Sequence, residues 1–308
     1  MSVSAKLVKE LRDKTGAGMM DCKKALEETN GNVDEAIDVL REKGLSKAAK
    51  KADRIAAEGL VRLAFSDDRS QAVVIEVNSE TDFVAKNQEF IDFVEKLAEI
   101  ALTADNNNID AFMGMLFEGE GTVNDALVQK TAKIGEKLSI RRFEKLDTPG
   151  TVYTGYIHGG GSIGVIVGIK TDAAADEINV TGKDVAMQVA SMSPKYVTED
   201  EADLAFIENE KKIAREQLLN EGKDEKLIEK IVPGKIKKVL KEVCLLDQKF
   251  VKNGDLTVAQ YVAESAKDLG KEMAVTEMVR YEVGEGLEKR SDDFAAEVAA
   301  QQADAAKK

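Results

Sequence analysis

The spacing of apolar residues changes period near Leu60, and that change excludes an all-helical and an all-strand fold alike. Before it, Val3, Leu7, Val8 and Leu11 recur at helical intervals, Thr15-Gly16-Ala17-Gly18 interrupts, and Met19, Cys22 and Leu26 resume the pattern. Asn30-Gly31 makes a second break. Asn32 then stands as an N-cap with Glu35 three residues on, and Val33, Ala36, Ile37 and Leu40 give a third apolar face that Gly44 is placed to end. Three short helices are therefore predicted over 1–45. Residues 46–58, rich in Ala and Lys, read as a solvated helical linker.

Beyond the change, residues 60–65 and 72–77 alternate as strands about a polar turn at 66–70, and an amphipathic helix follows with Phe90, Phe93, Val94, Leu97 and Ile100 on one face. Helical segments at 111–116 and 123–135 and a strand at 138–143 complete a unit over 59–148, closed by Pro149-Gly150. The same order of elements then recurs: a strand at 152–157, a glycine turn, a strand at 163–170 and a helix at 184–191. A helix at 258–269 and a strand at 272–281 finish this second unit from downstream, so it spans 149–198 and 247–283. The predicted fold class is α+β, with a core of two related α+β subdomains behind an N-terminal three-helix bundle.

Residues 199–246 have a different texture. Two mostly charged arms carry narrow apolar stripes, Leu204, Ile207, Ala214 and Leu218 on one and Ile228, Ile231, Ile236, Val239, Val243 and Leu246 on the other. Glu221-Gly222 separates them, which predicts an inserted antiparallel coiled-coil hairpin, kinked at Pro233-Gly234 near the start of the second arm. Residues 284–308 read as a C-terminal helix that frays into a tail.

Charge and side-chain inventory narrow the chemistry. A formal net charge of −13 provides no attractive field for phosphate backbones or anionic lipid, so direct nucleic-acid and membrane partners are not expected. No apolar run approaches the roughly 18 residues of a membrane span. Two cysteines, Cys22 and Cys244, make no disulfide framework, and the first ten residues mix charge where a signal segment needs an apolar core; a cytoplasmic location is expected. The single histidine, His158, leaves multi-histidine metal sites and most histidine-based catalysis without parts. No cofactor and no covalent chemistry are expected.

Glycine-rich 158–164 fits a dinucleotide fingerprint, a nucleophile elbow around Ser162 and an oxyanion loop at once. The first two require a helix to follow, and Val165-Ile-Val follows instead; no histidine lies downstream of Ser162. A hairpin turn is the reading these residues support. His158 is then either a satisfied surface histidine or a contact residue for a partner. Thr81-Asp82-Phe83-Val84 sits at a strand-to-helix junction and supports two readings. Either Thr81 or Asp82 caps the helix while Phe83 packs as a hydrophobic staple, or Phe83 is an exposed wedge with Asp82 acting beside it. Met19 and Met20 cannot share one helix face, so either both enter a small core by adaptation or one lies exposed.

The run Leu11-Arg-Asp-Lys-Thr-Gly-Ala-Gly-Met-Met-Asp-Cys-Lys-Lys-Ala-Leu26, with Gly31-Asn-Val-Asp-Glu-Ala36, resembles the N-terminal module of the translation elongation factor Ts family. Glu76-Val-Asn-Ser-Glu-Thr-Asp-Phe-Val-Ala-Lys-Asn87, Ile140-Arg-Arg142 and His158-Gly through Val167 are similar to that family's core. The resemblance covers nearly the whole chain. It implies a ubiquitin-associated-like three-helix domain, a two-subdomain core, an inserted coiled coil and a C-terminal helical module. It further implies guanine-nucleotide exchange on elongation factor Tu, with Thr81, Asp82, Phe83 and Val84 forming a tip that enters beside the GTPase's magnesium site. Leu11, Arg12, Met19 and Met20 would dock the N-terminal module, and the region of His158 would touch another domain of the partner. A homodimer or a two-plus-two complex with the partner is left open, and a scaffold or chaperone-like binder without exchange activity is the competing function.

Overall fold

The computed structural model describes residues 3–15 and 17–288. Helices α1 (Ala5–Thr15), α2 (Met19–Glu28) and α3 (Val33–Ala49) close on Val8, Leu11, Cys22, Ala25, Leu26 and Ala36. Asn32 starts α3 by accepting the amides of Asp34 at 3.1 Å and Glu35 at 3.4 Å, while its own amide donates to Glu35 at 2.7 Å. Gly44 does not end this helix. It lies buried within α3, where a Cβ would meet Ala132 and Val128 at 3.8 Å, so the glycine faces a neighbouring helix and not a turn. The expected linker helix over 46–58 is corrected accordingly: α3 runs to Ala49, and a turn at 50–54 leads into the first strand.

Strands β1 (Glu58–Phe65) and β2 (Ala72–Ser79) form an antiparallel hairpin. The chain then builds α4 (Asp82–Ala85), α5 (Gln88–Leu102), α6 (Ile109–Met113), the small ladder of β3 (Leu116–Phe117) and β4 (Gly121–Thr122), and α7 (Val123–Ile134). Gly114 caps α6, so Leu116 pairs as a strand residue and does not extend the helix expected over 111–116. Strand β5 (Ser139–Leu146) returns beside β2, giving the order β1-β2-β5.

A second antiparallel sheet begins with β6 (Thr151–His158) and β7 (Ile163–Thr171), backed by α8 (Ala175–Met192). Helix α8 starts well before the expected 184–191, because Gly182 abuts Thr154 of β6 and does not break the helix. The charged insertion forms α9 (Leu204–Asn220) and α10 (Glu225–Val243), joined by a tight turn, with Ala214, Leu218, Ile228 and Ile236 buried along it. Helix α10 continues through Pro233. At its base Lys195 N–H donates to Val243 at 2.8 Å and Leu245 N–H to Tyr196 at 2.8 Å. After β8 (Lys249–Phe250), β9 (Asn253–Thr257) and α11 (Val258–Leu269), β10 (Met273–Glu282) completes the sheet in the order β10-β7-β6. Residues 284–288 form turns, not the start of the expected C-terminal helix; the remainder of that expectation lies outside the described residues.

The strand side chains explain how the sheets stack. From β2, Val73, Ile75 and Val77 point to α5 and α7, whereas Ala72 and Val74 meet Val61, Tyr153, Ile166 and Tyr281 between the sheets. On the other side Val165, Val167 and Ile169 pack against α8 and α11. With both faces covered, β2 is buried along its whole length, which is why its sequence is a nearly continuous apolar run.

Candidate functional site

β2 delivers the chain directly to a four-residue helix whose members have opposite fates. Thr81 caps α4, its Oγ1 accepting the Val84 amide at 3.4 Å. Val84 is 8% exposed and packs into the first sheet's core, but Phe83 is 81% exposed. The staple reading is thereby overturned for Phe83: the backbone turn that buries Val84 turns its predecessor outward. Leaving a phenyl ring in water forgoes about 2 kcal/mol of burial.

Asp82 is exposed beside it and accepts a hydrogen bond from Lys86 Nζ at 2.6 Å. That hydrogen bond, with the ammonium charge behind it, holds the Asp82 carboxyl below the ordinary aspartate range, so it is anionic at neutral pH. The tip thus offers an apolar ring and a carboxylate side by side. Two further acids, Glu80 and Glu136, sit at its root. Glu136 accepts Thr81 N–H at 3.0 Å and Thr81 O–H at 2.8 Å, and Glu80 accepts from Arg54 Nη1 at 3.2 Å. Neither acid carries a local sequence signal for this role, since Thr81 and Glu136 meet only through the fold.

The remaining predicted residues separate into surface and support. Met19 and Met20 are 54% and 62% exposed, both on the first turn of α2. Arg12 is exposed, but Leu11 is fully buried in the bundle core with Cys22 and Leu26. Leu11 therefore cannot touch a partner directly; it shapes the bundle that presents its neighbours.

His158 ends β6, exposed, and shares a 3.0 Å hydrogen bond between its Nδ1 and Tyr156 OH. The turn after it is a hairpin turn into β7, with Ser162 Oγ donating to the His158 carbonyl at 3.2 Å. A strand follows these glycines, so neither the pyrophosphate cradle nor the nucleophile elbow is built. The Val61 amide donates to the Gly161 carbonyl at 2.8 Å, which fixes this turn against the first sheet. His158 and the α4 tip are thus mounted on one frame, with no hydrogen bond joining them among the described residues.

The two thiols offer no nucleophile: Cys22 and Cys244 are buried, and burial raises both, Cys244 to about 11. Among the described residues no group of three or more His, Cys, Asp or Glu is arranged to hold a metal ion, and no helix is long and apolar enough to cross a membrane.

Comparison with known proteins gives one answer along the chain. The family model "Elongation factor TS" matches residues 80–285. An elongation factor Ts of Clostridioides difficile (strain 630) is 54% identical over 300 residues, covering 97% of this chain and 99% of that protein. Those of Clostridium perfringens (strain 13 / Type A) and Clostridium novyi (strain NT) are 47% and 48% identical, each covering 96% of this chain and 98% and 97% of their own length.

Proposed function

The chain belongs to the elongation factor Ts family, and we propose that it is the guanine-nucleotide exchange factor for the translational GTPase elongation factor Tu. As an elongation factor it serves protein biosynthesis. The observation that carries the exchange reading is the exposure of Phe83, with anionic Asp82 beside it, on a turn anchored through Thr81 and Val84. An exposed aromatic ring on a fixed base is the form of an interface anchor.

Guanine nucleotides are held largely through their phosphates and a bridging Mg²⁺ that neutralises them. A rigid wedge that moves the ion's surroundings, with a carboxylate that competes for its hydration, leaves phosphate charge uncompensated. Release then accelerates with no bond made or broken in either protein. Met19, Met20 and Arg12 would hold the N-terminal module on the partner, and His158 would touch a second region. Binding is reciprocal by linkage, so nucleotide weakens the complex by the factor that the complex weakens nucleotide, and GTP rebinding expels the exchange factor.

Release of labelled GDP from elongation factor Tu, with and without this chain, tests the reading. Acceleration supports exchange. Binding that leaves the GDP off-rate unchanged supports the scaffold instead.

A further inference from the structure

α4 is a single turn of four residues, too short to hold its own geometry in water. Its direction must be imposed from outside, and two carboxylates from opposite sides of a chain crossing do so. Glu136 receives the amide and the hydroxyl of Thr81 on its two oxygens, while the adjacent residue, Lys137, gives its amide to Glu80. Each segment thus supplies an acid to the other's backbone. Arg54 Nη1 lies 3.2 and 3.3 Å from the two Glu80 oxygens and offsets the charge of that acid.

The Thr81 hydroxyl is the relay, donating to Glu136 and accepting from Val84 inside α4. Glu136 itself is aimed by Gly135, whose φ of 87° caps α7 and turns the chain sharply out of the helix. Helix α7 in turn packs on α3, where Arg41 reaches Asp125 at 3.4 Å. The root of the tip is therefore referenced to α7, not merely to the end of β2.

We propose that Glu136 is a positioning residue for the tip: its two hydrogen bonds to Thr81 set where Phe83 and Asp82 point, and so how effectively they act on the partner GTPase. The second half of this statement rests on the exchange reading above; the first half does not.

The test separates them. The chain contains no Trp, so Phe83→Trp places a single indole at the tip. In that background, Glu136→Ala adds a fast component to the fluorescence anisotropy decay, and Glu136→Gln removes it, because the amide still accepts Thr81 N–H and can donate to Oγ1. An unchanged decay in Glu136→Ala overturns the proposal, even where the thermal midpoint falls. With Phe83 restored, Glu136→Ala lowers the maximal rate of stimulated GDP release about tenfold, the equivalent of one hydrogen bond to a charged group. The half-saturating concentration moves by less than about threefold, and Glu136→Gln recovers the rate. A shift confined to half-saturation contradicts a positioning role. If the unmodified chain stimulates no GDP release from elongation factor Tu, the exchange reading fails while the anisotropy result stands on its own.

Discussion

Arg142 Nε donates to the carboxylate of fully buried Glu76 at 2.6 Å, across the pairing of β2 with β5. Arg141 Nη1 lies 3.0 Å from the same carboxylate, and the Asn78 amide and the Gly284 backbone N–H complete its partners at 3.1 and 2.8 Å. Both guanidinium groups also reach the 282–285 turn, so one buried acid ties the end of β10 to the first sheet. Glu76→Gln keeps the shape but removes the acid that Arg141 and Arg142 share, leaving Arg142 with Glu285 at 3.3 Å; with both guanidinium groups partly exposed, the loss of these charged hydrogen bonds costs about 1.5–3 kcal/mol. Urea unfolding should show that loss; a change within about 0.5 kcal/mol, the range of ordinary surface substitutions, would mean that the knot is not stabilising.

Gly182 touches Thr154 so closely that a Cβ on the glycine would overlap the threonine side chain. Gly182→Ala is therefore expected to lose about 1–3 kcal/mol by overpacking, despite the better helix propensity of alanine. Thr154→Ala removes the two closest atoms but leaves its Cβ, so it should restore part of the loss in the double variant, measured as a coupling energy in thermal unfolding. Additive effects would place the strain elsewhere.

Asp125 caps α7 through Thr122 and meets Arg41 of α3. The Thr122 backbone N–H first, and the Thr122 hydroxyl and Arg41 with it, hold the Asp125 carboxyl below its ordinary range. A depressed folded value means the contribution is complete above the unfolded value of about 3.9 and is lost as pH falls through the folded one. Asp125→Asn should then cost about 1 kcal/mol at neutral pH and progressively less below about pH 4. A pH-independent difference between the two proteins contradicts this.

The period change near Leu60 made the mixed helix-and-strand character legible, and Asn32 with Glu35 marked the start of α3. What misled was residue identity without tertiary context. Gly44 carries the signature of a helix end, yet it serves a helix crossing; Leu11 fills the bundle core as its apolar spacing indicates, and it was the resemblance that assigned it to docking. At the tip, capping and exposure are both written in Thr81 to Val84, and only the direction of the backbone decides which side chain turns out. Glu136 and Glu80 were invisible because their partners are brought to them by the fold, and Glu76 was masked by the apolar run around it.

Asp82 is anionic and paired with Lys86 in the free chain. If it acts on the ion of the partner, Asp82→Ala should slow GDP release less than Phe83→Ala does, and the defect should fade when Mg²⁺ is chelated. A defect of the same size in chelator would assign Asp82 to docking.

The most direct measurement is the rate of labelled GDP release from elongation factor Tu at saturating exchange factor, for the unmodified chain and for Phe83→Ala. Truncating an exposed interface anchor is worth about 2 kcal/mol or more, so the stimulated rate should fall about thirtyfold while complex formation with the nucleotide-free GTPase weakens far less. A Phe83→Ala chain that stimulates GDP release from elongation factor Tu as fast as the unmodified one would contradict the account.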